Sequence, residues 1–384
     1  PWRDLYVLLD QWDQLSNIEA WVQLHFGAHR VALPRLLFWF DLRWGGGRNH
    51  WLFSAALISC LVILGLVAAQ ARRFFSDRSS QLFLCVLAVA LMCSPAHIWN
   101  LSNPINVSWM ISLALALSAL ALVLPREKGV NTARWAIAMA LVVASALTTF
   151  TGVIACLLLA LVALVFDRKR APWVLLFTLA FVFWYAQDMT SDASVAADWE
   201  LGTAQQVEQV RAEARQLLAA NTLPQIAKKT LIYLAWPLAA DLPVLGLGVA
   251  ILSLALLAFC QWILWQKYRD TGSSEAWLLF CYLTAALCLG VAISTQLGRV
   301  LVQPNYAHGP SYERYQSIVL LYWMACSGLL LGLLFSCAPN VEMEAGTLIQ
   351  KTVAAHGWTS KPSQINFDFR AYHYEVQRGA FGIQ

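Results

Sequence analysis

Apolar segments separated by short polar connections make up most of the chain between residues 51 and 335. A helix needs about 20 apolar residues to cross the hydrocarbon core of a bilayer, and somewhat fewer when flanking side chains reach the interface. The pattern therefore predicts an all-α, polytopic transmembrane bundle of about nine helices. The predicted spans are residues 51–70, 81–95, 107–124, 135–147, 152–166, 172–186, 242–265, 277–296 and 316–335.

The fourth and fifth spans are short and are separated by residues 148–152, which read Thr-Thr-Phe-Thr-Gly. This break is either a tight turn between two helices or an unwound point in one long bent helix. Lys and Arg concentrate in the short cytoplasmic loops of membrane proteins, so the charge of the connections distinguishes a turn from a bent helix at this break. Four short connections carry eleven Lys and Arg, and the alternate connections carry six over a longer stretch. This alternation requires a turn at 148–152, which favours nine spans over eight.

The charge pattern also predicts how the chain is divided between the two sides of the membrane. Residues 1–50 form an extracytoplasmic first loop, and residues 51–336 form the bundle with a large outer loop at 187–241. Residues 340–384 form a cytoplasmic tail, in which residues 364–376 alternate like a short strand. The first fifty residues read as a loop that follows an earlier helix, so we expect about ten helices in the complete protein.

Composition agrees with a membrane location and excludes several other classes of protein. Hydrophobic residues make up 59% of the chain and charged residues 12%, whereas roughly 25% of an ordinary globular domain is charged. The mean hydropathy is +0.57. The net charge of +4 comes from short basic clusters between apolar runs, a distribution that does not predict nucleic-acid binding. The nine cysteines lie in or beside apolar runs without CxxC spacing, so neither a disulfide framework nor a zinc ribbon is predicted.

Polar chemistry is concentrated in the segments predicted to lie outside. The spans carry almost no charge in their interiors, which disfavours an ion-coupled transporter. In the first loop, apolar residues recur every three to four positions around Leu8 and again around Leu36, which predicts two interfacial helices with their apolar faces in lipid. The acids Asp10 and Asp13 lie on the first of these helices. The simpler interpretation of these acids is a charged face turned to water.

Other outer residues have the chemistry of ligand-binding groups. His25 and His29 have the spacing of a two-histidine metal site but lack an accompanying acid, so we predict no metal and no cofactor. Arg299 and Arg314, the latter followed by Tyr315, lie in or beside the last outer loop. Arginine is the preferred partner of phosphate and carboxylate, although anchoring to lipid headgroups is an equal alternative. The apolar run at 231–239 is too short to span, and we expect it to dip into the membrane or cap a cavity.

Several short motifs resemble a known family. Residues 26–38 read FGAHRVALPRLLF and residues 41–47 read DLRWGGG, which resembles the first outer loop of a bacterial family of polytopic proteins that reads close to NEHR…PRLLF…D…GGR. Similar short motifs fall at Trp99-Asn100, at 150–152, at Gly298-Arg299 and at 314–316, so the resemblance extends over residues 20 to 336. That family is similar to the GT-C glycosyltransferases.

The resemblance to the GT-C superfamily implies many helices, two juxtamembrane helices in the first outer loop, and polyprenyl-phosphate sugars as donors. It also implies that an acidic residue of the first outer loop acts on the acceptor. This chain departs from the pattern at two points. Asp10 and Asp13 are three residues apart rather than adjacent, and Ala28 stands where the family has an acid before His-Arg.

These observations predict a membrane glycosyltransferase that moves a sugar from a polyprenyl-phosphate donor to a glycan or lipid acceptor outside the bacterial inner membrane. Asp13 or Asp10 is the predicted general base. The predicted phosphate and substrate ligands are Arg30, Arg299, Arg314, His29 and Tyr315. Membrane lipids are the other expected partners. The alternatives are an O-antigen polymerase or ligase-type enzyme, a transporter or flippase of lipid-linked glycans, and a non-catalytic scaffold.

Overall fold

The computed structural model describes residues 30–75, 78–94, 107–124, 130–187, 222–236, 243–271, 276–302 and 316–337. Within these ranges every regular element is an α-helix, which confirms the predicted all-α class. Each of the nine predicted apolar segments coincides with one helix. The helices are α1 (Ala32–Trp44), α2 (His50–Phe74), α3 (Arg78–Met92), α4 (Val107–Val123), α5 (Thr132–Ala146), α6 (Thr151–Phe166), α7 (Ala171–Ala186), α8 (Thr222–Ala235), α9 (Pro243–Thr271), α10 (Ala276–Val302) and α11 (Gln316–Cys337).

Four of the described helices, α2, α9, α10 and α11, are long and apolar enough to cross a membrane. The apolar helices α3 to α7 are shorter. Large apolar side chains are exposed on the outer surfaces of several helices, for example Trp173, which is 74% exposed, Leu179 and Phe183 on α7. Contiguous exposed apolar surface of this kind is rare in soluble monomers and is expected where lipid is the solvent. The chain therefore has the features of a membrane protein.

The helix α4 lies at the centre of the bundle. It is buried on all sides because α2, α5, α6 and α10 pack around it. Its sequence, VSWMISLALALSALALV, alternates small and large residues all around the helix. A helix that is apolar on every face belongs in the core, and small residues allow neighbouring backbones to approach closely. The other helices are therefore arranged with respect to α4.

One end of the bundle brings together three segments that the charge pattern assigns to the outside. The backbone N–H of Leu33 donates to the carbonyl of Leu147, at a distance of 3.1 Å, just before the 148–152 break. The guanidinium of Arg30 donates to the carbonyl of Gln187, at 3.0 Å, where the loop 187–241 begins. The start of the described chain, the break and the end of α7 therefore meet.

The opposite end brings together connections that the charge pattern assigns to the inside. The indole N–H of Trp135 donates to the Asp167 carboxylate at 3.1 Å, and Arg170 forms an ion pair with the same carboxylate at 2.6 Å. The Tyr268 hydroxyl, near the end of α9, donates to the carbonyl of Val165 at 2.8 Å. The described parts of these three connections therefore lie at the same end of the bundle.

The 148–152 break is a turn between two helices. The helix α5 ends at Ala146 and α6 begins at Thr151. A side chain at Gly152 would bring Cβ to 2.6 Å from the carbonyl oxygen of Val142, and equally close to the backbone of Ala146. Glycine therefore permits the two helices to approach at the turn, and a bent single helix is excluded.

The helix α1 coincides with the second predicted interfacial helix. Its residues Leu33 and Leu37 are partly buried against a cluster formed by Ala56, Val107 and Ile111, whereas Leu36 is 40% exposed. Its inward face also carries charged residues, which we describe with the candidate site. The insertion of its apolar face into lipid stays a prediction.

Two further elements extend beyond their predicted bounds. The helix α10 continues to Val302, so Arg299 lies on a helix rather than in the predicted loop. The apolar residues that follow Arg299 support this extra turn. The predicted short apolar run at 231–239 begins inside α8, which packs against α9 and α10. The predicted interfacial helix around Leu8 and the predicted strand at 364–376 lie outside the described residues.

The close approach at Gly152 predicts that Gly152→Ala lowers stability. The added methyl group would meet backbone atoms that cannot rotate away, and overpacking of this kind costs about 1–3 kcal/mol. Gly65→Ala is the matched control, because no atom lies within 4 Å of its added Cβ, and alanine is the better helix former. Thermal unfolding of both purified variants in detergent measures the difference. Equal midpoints would contradict the tight turn.

Candidate functional site

A buried arginine forms the most concentrated polar cluster at the end of the bundle where the segments predicted to be outside meet. Arg30 is 1% exposed. Its Nη2 donates hydrogen bonds to three carbonyl oxygens: Trp184 at 3.0 Å, Tyr185 at 3.4 Å and Gln187 at 3.0 Å. We call Arg30, Phe150, Trp184, Tyr185 and Gln187 the Arg30 cluster.

The chemistry of a helix end explains this arrangement. The last carbonyls of a helix have no partner within the helix and carry a partial negative charge, which a guanidinium neutralises. The guanidinium of Arg30 also lies over the indole ring of Trp184, 4.3 Å from its centroid, in a cation–π contact. The Tyr185 ring meets the Phe150 ring edge to face, with centroids 5.9 Å apart. The cluster therefore joins the start of the described chain to α7 and to the turn at 148–152.

A second cluster lies beside the first and consists only of hydroxyl groups. We call Ser112, Ser145, Thr149 and Thr151 the hydroxyl cluster, and all four are buried. The Ser112 and Ser145 hydroxyl oxygens lie 2.8 Å apart, and each hydroxyl also donates to the other residue's carbonyl. The Thr149 hydroxyl lies within hydrogen-bond distance of both Ser112 and Thr151. Because its members bond one another, this network fixes α4 to the turn.

The acid Asp41 caps a helix. Its carboxylate accepts hydrogen bonds from the backbone N–H groups of Asn49, at 2.6 Å, and Trp51, at 3.1 Å, at the start of α2. The side chain is 0% exposed. A glycine is required at Gly45, where an added Cβ would lie 2.6 Å from Asp41 Oδ1. The sequence Asp-Leu-Arg-Trp-Gly-Gly-Gly is therefore a capped connection between α1 and α2.

Most of the predicted site residues lie outside the described part of the chain: Asp10, Asp13, His29, Arg314 and Tyr315. Arg299 lies on α10, close to the end of that helix. Their roles therefore stay predictions.

Arg30 stabilises the end of α7, because its Nη2 donates hydrogen bonds to backbone carbonyls there. The role of Arg30 as a phosphate ligand stays a prediction. Sequence reasoning missed Trp184 and Tyr185 as its partners. The only signal was an aromatic pair at the end of an apolar segment, which also fits an interfacial aromatic belt.

The described residues contain no group of three or more His, Cys, Asp or Glu side chains that could hold a metal ion. Comparison with known proteins adds no relative: no known sequence family, curated protein or solved structure matches this chain. Inference about function therefore depends on the residues themselves.

The contacts of Arg30 predict a loss of stability when its side chain is shortened. Arg30→Ala removes the charge-assisted hydrogen bonds and the cation–π contact, and we expect it to cost about 2–4 kcal/mol. Arg30→Lys should fall between wild type and alanine, because a lysine lacks the planar fork. Arg43→Ala, at an exposed position on α1, is the control and should stay within about 0.5 kcal/mol of wild type. Thermal unfolding in detergent provides the measurement, and a wild-type midpoint for Arg30→Ala would refute the assignment.

The cap at Asp41 predicts that Asp41→Asn destabilises the protein even though it preserves size. The amide has one acceptor oxygen where the carboxylate has two, so one backbone N–H loses its partner at a cost of about 1–3 kcal/mol. His50→Ala, at an exposed position in the first turn of α2, serves as the control. Hydrogen exchange at the start of α2 should become faster in Asp41→Asn alone. Unchanged exchange there would show that the cap does not stabilise α2.

Proposed function

We propose that this chain is a membrane glycosyltransferase that transfers a sugar from a polyprenyl-phosphate donor to an acceptor at the cell envelope. The observation that carries the proposal is the anchoring of Arg30 at one end of the bundle by the carbonyls of α7. The residues that immediately precede Arg30 carry the predicted acids Asp10 and Asp13 and the predicted ligand His29. The acidic segment therefore enters the bundle at a fixed point.

The predicted phosphate ligands lie close in sequence to the same end of the bundle. The helix α10 begins near the opposite end, since Trp277 in its first turn contacts Phe75, which follows α2. Its last residues, which include Arg299, are therefore directed toward the end that holds Arg30. Arg314 and Tyr315 directly precede α11, across the same connection from Arg299. The position of an acidic segment and two arginines next to this end in the sequence supports transfer from a phosphate-linked donor.

The proposed topology follows from the two ends of the bundle. The nine apolar helices α2 to α7 and α9 to α11 are the proposed spans, and the end that holds Arg30 faces the outside of the bacterial inner membrane. The basic connections collect at the opposite end, as expected for a cytoplasmic face. The shorter helices α3 to α7 meet the length requirement when their flanking residues reach the interface.

The proposed reaction uses a carboxylate and arginines in separate roles. Asp13, or Asp10, accepts the proton of the acceptor hydroxyl as its oxygen attacks the anomeric carbon of the donor sugar. The bond between that carbon and the phosphate oxygen breaks, and the polyprenyl phosphate leaves with the bonding electrons. Arg299 and Arg314 stabilise the negative charge that develops on the leaving phosphate. The acceptor hydroxyl thus gains a glycosidic bond, and its proton stays on the aspartate.

The proposal predicts that Asp13→Asn abolishes sugar transfer, and Asp10→Asn is the second candidate. The amide keeps the size of the side chain but removes the basic oxygen, and loss of a general base reduces turnover by about 10²- to 10⁴-fold. The measurement is mass spectrometry of surface glycans in a deletion strain that carries each variant at wild-type protein level. Asp4→Asn, an acid of the same segment, is the control and should restore the glycans.

Two outcomes of this experiment would contradict the proposal in different ways. Restored glycans in the Asp10→Asn, Asp13→Asn double variant would remove both acids from the mechanism. A deletion strain with unchanged surface glycans would remove the glycosyltransferase itself. A transporter of lipid-linked glycans would tolerate both asparagine substitutions and would accumulate its substrate on the inner face when deleted.

A further inference from the structure

A buried amide on α10 lacks the partner that such groups almost always have. Gln296 is 2% exposed, and its Nε2 is fully enclosed without a hydrogen-bond partner in the part of the chain that the structure describes. Buried polar side chains in native proteins are nearly always hydrogen-bonded, and an exception points to a bound group that completes the site.

The depth of Gln296 along the bundle follows from a close helix contact. A Cβ added to Gly290 would lie 2.6 Å from Cγ2 of Ile154, so these residues are at the same level of α10 and α6. Since α10 runs opposite to α6, the rise of 1.5 Å per residue takes Gln296 about 9 Å beyond Ile154. The first residue of α6, Thr151, lies about 4.5 Å beyond Ile154 in the same direction. Gln296 therefore lies at the level of the end that holds Arg30.

A second unsatisfied group lies on the neighbouring helix. Thr230 is buried on α8, which packs against α10, and its hydroxyl has no hydrogen-bond partner among the described residues. A threonine inside a helix commonly donates to the carbonyl four residues earlier, so a free hydroxyl is unusual. Two helices that pack together thus each bring a buried polar atom without a partner. Arg299, the predicted phosphate ligand, follows Gln296 by three residues on α10.

We infer that the side-chain amide of Gln296 donates a hydrogen bond to the phosphate of the lipid donor, beside Arg299; this inference rests on the proposed function. Phosphate oxygens accept hydrogen bonds and have no donor of their own when ionised, which matches a free N–H. A neutral amide adds an oriented donor without a buried charge, and burying it costs less free energy than burying a lysine or an arginine.

The same bundle supplies a matched control. Gln70 on α2 is also buried, and its unsatisfied atom is Oε1, an acceptor. It lies one helical turn before Phe74, whose ring stacks with Trp277 at the start of α10, so it belongs to the opposite end. Gln70→Leu and Gln296→Leu are therefore the same chemical change at comparable burial, one far from the inferred phosphate and one beside it.

The experiment measures binding of polyprenyl phosphate to the purified full chain in phosphatidylcholine nanodiscs. We expect Gln296→Leu to weaken binding by about 10- to 100-fold, the effect of losing one hydrogen bond to a charged group. Gln296→Met, which keeps an unbranched side chain, should behave in the same way, and Gln70→Leu should bind as wild type does. Without ligand, Gln296→Leu should melt no lower than wild type, because it removes an unsatisfied buried group.

Each other outcome overturns a distinct statement. Wild-type binding by Gln296→Leu would overturn the inference and leave the proposed function intact. Failure of the wild-type protein to bind polyprenyl phosphate would overturn both. A parallel titration with phosphatidylglycerol distinguishes the source of the phosphate, because equal, Gln296-dependent binding of that lipid would make the residue a general headgroup contact. A lower melting temperature of ligand-free Gln296→Leu would show that the amide has a structural partner within the chain.

Discussion

The contact between α4 and the turn that joins α5 to α6 is the constraint on which the rest of the bundle depends. In an apolar environment each backbone and hydroxyl group needs a partner within the protein. Ser112 and Ser145 meet this need because each hydroxyl donates to the other residue's carbonyl, and Thr149 extends the network into the turn. Gly152 lets the two helices approach until this network closes. With α4 fixed in this way, α2, α6 and α10 pack on its remaining sides.

Charged residues at one end of the bundle complete helix ends. Arg30 satisfies carbonyls at the end of α7, and Asp41 satisfies N–H groups at the start of α2. Both side chains are buried, and each has the sign of charge that favours the helix end it meets. The segment from Arg30 to Asn49 is therefore built into the bundle. The position of Arg30 is therefore fixed, and the residues before it are attached to the bundle at a defined point. A catalytic segment needs such an anchor if it is to hold an acid near a substrate.

Not every buried polar atom of the described residues is paired in this way. The amide nitrogen of Gln296, at the same end, and the hydroxyl of Thr230 have no hydrogen-bond partner among the described residues. An apolar residue at position 296 would make the ligand-free protein more stable, whereas the proposed function needs the amide there. The proposed glycosyltransferase activity gives a physical reason to keep the amide there, since the phosphate of the donor is an acceptor that an apolar residue cannot bind.

The sequence by itself determined the helices, because a long, continuous apolar run satisfies its backbone groups within one segment when it is helical. It also favoured the turn at 148–152, since the alternation of basic connections required a reversal there. It could not show that Leu33 and Leu37 contact α2 and α4, because a stripe of leucines fits lipid and another helix equally well. Only the tertiary structure decided which polar residues meet: Arg30 with carbonyls more than 150 residues away, Asp41 with the start of the next helix, and Gln296 with none among the described residues. Those pairings depend on which helices lie side by side, and the periodicity of the sequence contains no information about that packing.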